Sequence, residues 1–263
     1  MKDILSLDGK VIIITGAGRG IGNHLALELA RRKAIVYGLD IDYRNQKNLH
    51  HIKCDVTKTK QVEKCFNQIF KKYGRIDGLV NNAGITIPAE NDYPLSKWNK
   101  TLKVNLTAPL ICSKNAVKYM MKAQQGSIIN ITSISAELGF PNNPAYVASK
   151  GGLKMLTKSI AKDFGKYGIR ANNLGFGYIT TDMTKKSYDD LVRRKEIERH
   201  TLLGRWGNPS DLVGAIIFLL SDASSYMTGQ DIYIDGGWLA NGLIDFEKNM
   251  IIKKEQYGVE NFG

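Results

Sequence analysis

Three residues of this chain have the types and spacing for proton chemistry: Ser133, Tyr146 and Lys150. A tyrosine and a lysine four residues apart share one helix face. A phenol ordinarily ionises near pH ~10, and a nearby ammonium favours the phenolate, drawing it toward useful acid/base range. The spacing alone selects nothing, because Tyr43–Lys47, Tyr93–Lys97 and Tyr146–Lys150 all have it. The first pair falls in a polar turn rich in Asn and Gln, and Pro94 makes Tyr93 a poor helix residue. Only Tyr146 opens a long amphipathic stretch. Ser133 stands thirteen residues earlier, after the apolar run Ser127–Thr132, with Ser135 as its near neighbour. Its hydroxyl can hold a substrate oxygen while Tyr146 transfers the proton. A serine nucleophile is disfavoured, since no histidine sits in a partner motif.

Such a set needs elements that end beside one another. Short β-rich runs at Lys10–Thr15, Ala34–Asp40, His51–Cys54, Gly78–Asn81, Ser127–Thr132, Arg170–Leu174 and Asp231–Ile234 alternate with helical patterns. Those patterns cover Ile21–Lys33, Lys60–Tyr73, Ser96–Lys122, Ala145–Tyr167 and Pro209–Leu220. The alternation predicts an α/β fold of Rossmann type, a doubly wound parallel sheet of about seven strands with helices on both faces. Ligands bind such sheets at the carboxyl ends of the strands. No repeat or linker divides residues 1–263, so one domain is expected.

The first strand runs into Thr15-Gly16-Ala17-Gly18-Arg19-Gly20-Ile21-Gly22. Glycines allow a tight turn and close approach to a pyrophosphate, and the following helix offers it free N–H groups and a positive dipole end. Asp40, at the end of the second strand, can accept hydrogen bonds from ribose hydroxyls and would repel a 2′-phosphate, which argues for NAD over NADP. Arg19 argues the other way, as a partner for that phosphate. Asp55, with Val56 beside it, follows the third strand and can bond an adenine amino group or simply cap a turn. Asn81-Asn82-Ala83-Gly84 follows the fourth strand, suited to binding the cofactor or bracing its loop.

Together these motifs resemble the short-chain dehydrogenase/reductase family of single-domain type. Thr15–Gly22, Asn81–Gly84, Ser133, Tyr146–Lys150 and Thr228-Gly229-Gln230…Asp235-Gly236-Gly237 match in order and spacing, from about Lys10 to Gly237. The resemblance implies a homotetramer or homodimer. It implies Tyr146 as acid/base, Lys150 as a nicotinamide-ribose ligand that lowers the tyrosine pKa, and Ser133 as the group orienting substrate. Asn105 would hold a proton-relay water, while Ile179 and Thr181 would meet the carboxamide. Pro109 supports the Asn105 role: it has no N–H for the carbonyl four residues earlier. The cofactor-binding set is thus Gly16, Arg19, Gly20, Ile21, Gly22, Asp40, Asp55, Val56, Asn82, Ala83, Gly84, Tyr146, Lys150, Ile179 and Thr181; no metal site is expected. Three departures stand out. Phe176-Gly177 replaces Pro-Gly, predicting a looser loop over the nicotinamide. Lys33 replaces a glycine at the end of the first helix. The polar stretch Ile41–His50 leaves no helix after the second strand.

Bulk properties narrow the rest. The chain has 263 residues, 43% hydrophobic and 24% charged, as in ordinary globular proteins. Cys54, Cys65 and Cys112 form no CxxC, so a reducing compartment, the cytoplasm, is expected. No apolar run approaches the ~20 residues of a membrane span. The net charge of +12 is spread along the chain, which reads as solvated surface rather than a nucleic-acid site. Substrate choice should lie in Ser135–Asn143 and in a charged, mobile lid at Tyr178–Trp206, with 238–263 a C-terminal extension. Glu137, Asn142 and Asn143 near Ser133 favour a small polar substrate: a sugar, polyol or sugar acid. A 3-oxoacyl thioester is the alternative. The lid's Lys185, Lys186, Arg193, Arg194, Lys195, Arg199 and His200 read as a solvated helix face; the sharper reading is an anionic substrate, a sugar acid or an acyl-carrier thioester. A non-catalytic dinucleotide-binding regulator is a rival the fold cannot exclude, but it would need no acid/base.

Overall fold

The computed structural model describes residues 3–42, 49–89 and 92–242. Strands β1 (Val11–Thr15), β2 (Ile35–Asp40), β3 (His50–Lys53), β4 (Gly78–Asn81), β5 (Gly126–Ile131), β6 (Ile169–Phe176) and β7 (Asp231–Ile234) form one sheet. Its order is β3-β2-β1-β4-β5-β6-β7, seven strands, and every pairing is parallel. The chain winds outward from β1 to β3, returns, and winds the other way from β4 to β7. The reversal leaves a crevice at the carboxyl ends of β1 and β4, where doubly wound sheets bind ligands.

The strands are apolar because both faces are covered. Along β1, Val11 and Ile13 face a core with Val62, Phe66, Cys112 and Met120, while Ile12 and Ile14 face another with Leu25, Leu29, Ile216 and Leu220. Helices α2 (Thr59–Tyr73), α4 (Ala108–Ala123) and α5 (Pro144–Phe164) therefore lie on one face. On the other lie α1 (Gly20–Arg31) and α8 (Val213–Leu220), numbered with α3, α6 and α7 given below. Among the described residues no helix is long and apolar enough to cross a membrane.

Strands β4 and β7 match their sequence-derived bounds, while β6 runs two residues past Leu174 to Phe176. The expected helix Ser96–Lys122 is three pieces: α3 (Leu95–Leu102), a π-helical turn at Lys103–Thr107, and α4. The segment 178–206 contains two helices, α6 (Lys185–Asp189) and α7 (Leu191–His200), which carry the charges read as a solvated helix face. Asp190 caps α7 through the amides of Val192 and Arg193, and the pairs Lys185–Asp189 and Arg194–Glu198 lie along the helix surfaces. Lys33 has φ 62°, the left-handed region that favours glycine. The expectation of no helix after β2, and the Tyr43–Lys47 pair, lie largely outside the described residues, as does most of 238–263.

Candidate active site

The glycine turn sits in the crevice between β1 and β4. Gly16 has φ +67°, and a Cβ there would stand 2.7 Å from the Ala83 Cα. A Cβ on Gly22 would run into the Gly16 carbonyl and the Asn82 amide. Asn82 braces the turn by donating from Nδ2 to the carbonyls of Thr15 and Gly16, both at 3.0 Å. The amides of Asn82 and Ala83 each donate to the Thr15 hydroxyl at 3.1 Å. Helix α1 begins at Gly20 with Arg19 as N-cap, no side-chain cap and no acidic residue in its first turn. Its leading N–H groups thus meet no side-chain acceptor, the arrangement that binds phosphate. Arg19 and Gly20 are exposed, and Ile21 packs against the core beside α8.

Asp40 takes the Gly18 amide on Oδ2 at 2.8 Å and the Asp42 amide on Oδ1 at 3.2 Å. It thereby ties the end of β2 to the glycine turn and keeps lone pairs for further donors. Asp55 acts as a turn cap: its Oδ1 accepts from the amide and hydroxyl of Thr57 at 2.9 and 2.7 Å. Burial alone would raise its pKa, but the Thr57 hydrogen bonds outweigh that and hold it below the usual carboxylate range. Val56 is buried in the core between α2 and β2. Gly84 passes beside both Asn105 and Lys150; a Cβ there would stand 3.6 Å from Asn105 Oδ1 and 3.8 Å from Lys150 Nζ.

Ser133, Tyr146 and Lys150 meet at the carboxyl rim. Ser133 follows β5 and opens a 3-10 turn at Ile134–Ala136, accepting the Ser135 amide on Oγ at 3.2 Å. Tyr146 lies in the first turn of α5, and the Ser133 hydroxyl is close enough to favour its phenolate. Lys150, one turn on, is 4% exposed and donates to the Ile131 carbonyl at 2.7 Å. Its Nζ lies 5.6 Å from the Tyr146 ring centroid. Among the described residues no carboxylate pairs with it.

The electrostatics differ from the expectation that Lys150 lowers the tyrosine. Burial raises Tyr146 above its ordinary value, and the Ser133 hydroxyl pulls it only part of the way back. Burial also pushes the Lys150 ammonium down to about 8. Each group is driven toward its neutral form because nothing compensates its charge in a dry environment.

Asn105 lies on the π-helical turn and is fully buried. Proline at 109 cannot donate to its main-chain carbonyl, and the helix widens there: the Ala108 amide reaches back five residues to Lys103. The side chain has a role that sequence reasoning missed. It accepts the Ile85 amide at 2.8 Å, donates to the Ile85 carbonyl at 2.8 Å and donates to Ser149 Oγ at 3.1 Å. Asn105 thus joins the loop after β4 to helix α5.

Ile179 is buried and pairs in a single bridge with Gly207; its carbonyl accepts from Thr184 Oγ1 at 2.6 Å. The Thr181 amide donates to the same hydroxyl at 3.0 Å. Phe176 is buried as the last residue of β6, and the Gly177 amide bonds the Ile234 carbonyl at 3.2 Å, so β7 anchors the start of this loop. An aromatic cluster was also invisible in the sequence, its members being far apart in the chain. Tyr178 lies 5.2 Å from Trp206 and 4.8 Å from Trp238, and Tyr188 lies 5.3 Å from Trp206. Glu137 corrects another expectation. Its carboxylate engages Lys154 and Tyr233 instead of standing as a spare polar group for substrate.

The site suits a dinucleotide. The cradle at Gly16 and Gly22 has no room for side chains, and among the described residues the α1 terminus has no side-chain cap and the Lys150 cation no anion. Two buried hydroxyls near Ser133, those of Thr132 and Ser135, have no hydrogen-bond partner among the described residues.

Comparison with known proteins agrees. A family model described as enoyl-(acyl carrier protein) reductase matches residues 16–239. The chain is 35% identical over 251 residues to the 5-keto-D-gluconate 5-reductase of Escherichia coli (strain K12), covering 91% of this chain and 99% of that one. It is 38% identical over 250 residues to a 3-oxoacyl-acyl-carrier-protein reductase of Thermotoga maritima, covering 89% of this chain and 99% of that one. Among solved structures, a gluconate 5-dehydrogenase from Burkholderia cenocepacia J2315 in complex with NADP and tartrate superposes with a TM-score of 0.85 at 35% identity, covering 90% of this chain and 98% of that one. The chain therefore belongs to the short-chain dehydrogenase/reductase family of NAD(P)-dependent oxidoreductases that act on CH–OH groups.

Proposed function

We propose that the protein interconverts a secondary alcohol and a ketone on a sugar, polyol or sugar acid, with NAD as the preferred nicotinamide coenzyme. One observation carries this reading: a buried Lys150 ammonium without a carboxylate among the described residues, one helix turn from a phenol whose ionised form the Ser133 hydroxyl favours. When bound, the nicotinamide supplies or accepts the hydride. Ser133 donates to the substrate oxygen and holds it at Tyr146. The phenol gives the proton to the nascent alkoxide in reduction and takes it in oxidation. Lys150 holds the nicotinamide ribose. Once the ribose and substrate oxygens replace the unpaired environment, its charge favours the phenolate. Asn105 holds the water through which the proton leaves. Gly20–Gly22 at the α1 terminus would hold the pyrophosphate, Asp55 and Val56 the adenine, and Ile179 and Thr181 the carboxamide.

Asp40 supports NAD, because a 2′-phosphate beside it would face a carboxylate. Arg19, exposed and without an ion partner among the described residues, supports NADP as a second reading, as does the B. cenocepacia relative solved with NADP. The T. maritima relative supports a 3-oxoacyl thioester as the alternative substrate. We further propose one domain, a substrate lid over 178–206, a homotetramer or homodimer, and a cytoplasmic location. The test is a panel of polyols, sugar acids and 3-oxoacyl thioesters, assayed with NAD and with NADP by nicotinamide absorbance. Turnover of a sugar acid or polyol with NAD is expected. Turnover of thioesters alone would overturn the substrate class, and turnover of none with either coenzyme would favour a non-catalytic regulator.

A further inference from the structure

We infer that Glu137 is a positioning residue that sets the Ser133 hydroxyl against the Tyr146 phenol; this rests on the reaction proposed above. Ser133 and Tyr146 sit on different elements, joined by the segment 134–143, which is exposed at Pro141 and Asn142. Two ties hold that loop. At the far end, Ala89 donates to the Asn142 carbonyl at 2.8 Å and Asn143 donates to the Thr86 hydroxyl at 2.7 Å. At the near end stands Glu137.

Residues Ser133–Glu137 form one rigid turn. The Ala136 amide bonds the Ser133 carbonyl at 2.9 Å, and the Glu137 amide bonds the Ile134 carbonyl at 3.0 Å. Whatever fixes Glu137 therefore fixes Ser133. Its carboxylate accepts from Lys154 and from the Tyr233 hydroxyl. Lys154 lies two turns beyond Tyr146 on α5, on the face that carries Lys150. Tyr233 belongs to β7, and its ring fills the space over Gly175, where a Cβ would collide with it.

The clamp is itself anchored. Asp231 receives Lys158 at 2.9 Å, Asn173 at 2.7 Å and, more loosely, Lys154 at 3.6 Å. From Asn173 the chain of hydrogen bonds runs through Thr157 (2.6 Å) to Asn130 (2.7 Å) and on to Asn81 (2.7 Å), the residue before Asn82. The Ser133 turn, the tyrosine helix and the cofactor-bracing loop thus share one polar network across β4 to β7. Glu137 is its terminus at the site, pointing at α5 and β7.

Two variants test this. Glu137→Gln keeps volume and removes charge; Tyr233→Phe removes only the hydroxyl. The first readout needs no substrate: the ionisation of the Tyr146 phenol, followed by ultraviolet difference against Tyr146→Phe in each background. Ser133 lowers that midpoint, so a loosened turn raises it, and we expect a rise of about half a pH unit or more in both variants. The second readout is kcat, expected to fall about tenfold or more, with coenzyme Kd within about twofold. If melting temperatures fall while the phenol midpoint stays fixed, the clamp is merely structural and the inference fails. Absence of turnover in the parent enzyme would instead sink the proposed reaction, leaving the titration to decide the role of Glu137.

Discussion

The two ends of the sheet treat charge in opposite ways. The amino edge holds a groove of about 470 Å³ lined by Lys10, Arg75, Asp77, Arg170 and Asp222 among others. Five of these charges are spent on the protein itself, those of Lys10, Arg75, Asp77, Arg170 and Asp222. Lys10 pairs with Asp222 at 2.8 Å, Arg75 grips Asp77 at 2.6 Å, and Arg170 donates to the carbonyls of Leu219 and Ser221 and to Ser224. The carboxyl rim buries one ammonium, Lys150, with a single carbonyl for company, and leaves two buried hydroxyls near Ser133 unpaired among the described residues. A satisfied polar groove is structure. An unsatisfied one stores a cost that a bound ligand can relieve, which is how sites trade stability for function.

This contrast breaks most readily at Lys150. Lys150→Met should reduce turnover about a thousandfold and yet raise the melting temperature. Burial lowers the lysine from 10.5 to about 8, a charge penalty on the order of 3 kcal/mol. The sign is checkable. Below pH 8 the lysine is charged folded and unfolded, so the penalty is full; above about 10.5 it is neutral in both and the penalty is gone. The stability gap between Lys150→Met and the parent should therefore shrink from pH 8 to about 10.5, as chemical denaturation would record. A variant less stable than its parent at neutral pH would contradict the contrast.

Smaller effects sharpen it. Asp40→Ser should move the NAD-to-NADP preference at least about tenfold toward NADP, read from kcat/KM with each; an unchanged ratio would remove Asp40 as the selector. At the amino edge, Arg75→Gln should cost at most about 1 kcal/mol, since its side chain is half exposed. Turnover should stay within about twofold. Smallest of all, Lys33→Gly should stabilise by about 0.5–1 kcal/mol by relieving the φ of 62°, again without effect on turnover.

What the sequence made legible follows the same division. Strands read well where apolar runs are closed by turn residues: Gly78–Asn81, before Asn82-Ala83-Gly84, and Asp231–Ile234, before Asp235-Gly236-Gly237, have the bounds they suggested. Glycines 16–22, Ser133, Tyr146 and Lys150 were singled out because chain order and spacing encode them. Contacts between distant segments were not legible. Glu137 was read as a free polar group because Tyr233, its hydrogen-bond donor, lies 96 positions away. The link from Asn105 to Ile85 and Ser149 depends on where α3 and α5 pack, which no local pattern carries. The bounds of α7 were not legible because its charged sequence has little apolar periodicity, only Ile197 being buried. The tyrosine shift failed for a related reason: an ammonium and a phenol on one helix face suggest stabilisation, but the solvent withheld from both is a tertiary property.

The claim that the rim is built for proton transfer is tested most directly by Tyr146→Phe, with turnover on the best substrate of the panel and coenzyme affinity measured on the same preparation. The account predicts turnover reduced about a thousandfold or more, with coenzyme Kd and melting temperature near those of the parent. Turnover within about tenfold of the parent would show that the proton travels by another group and would contradict it.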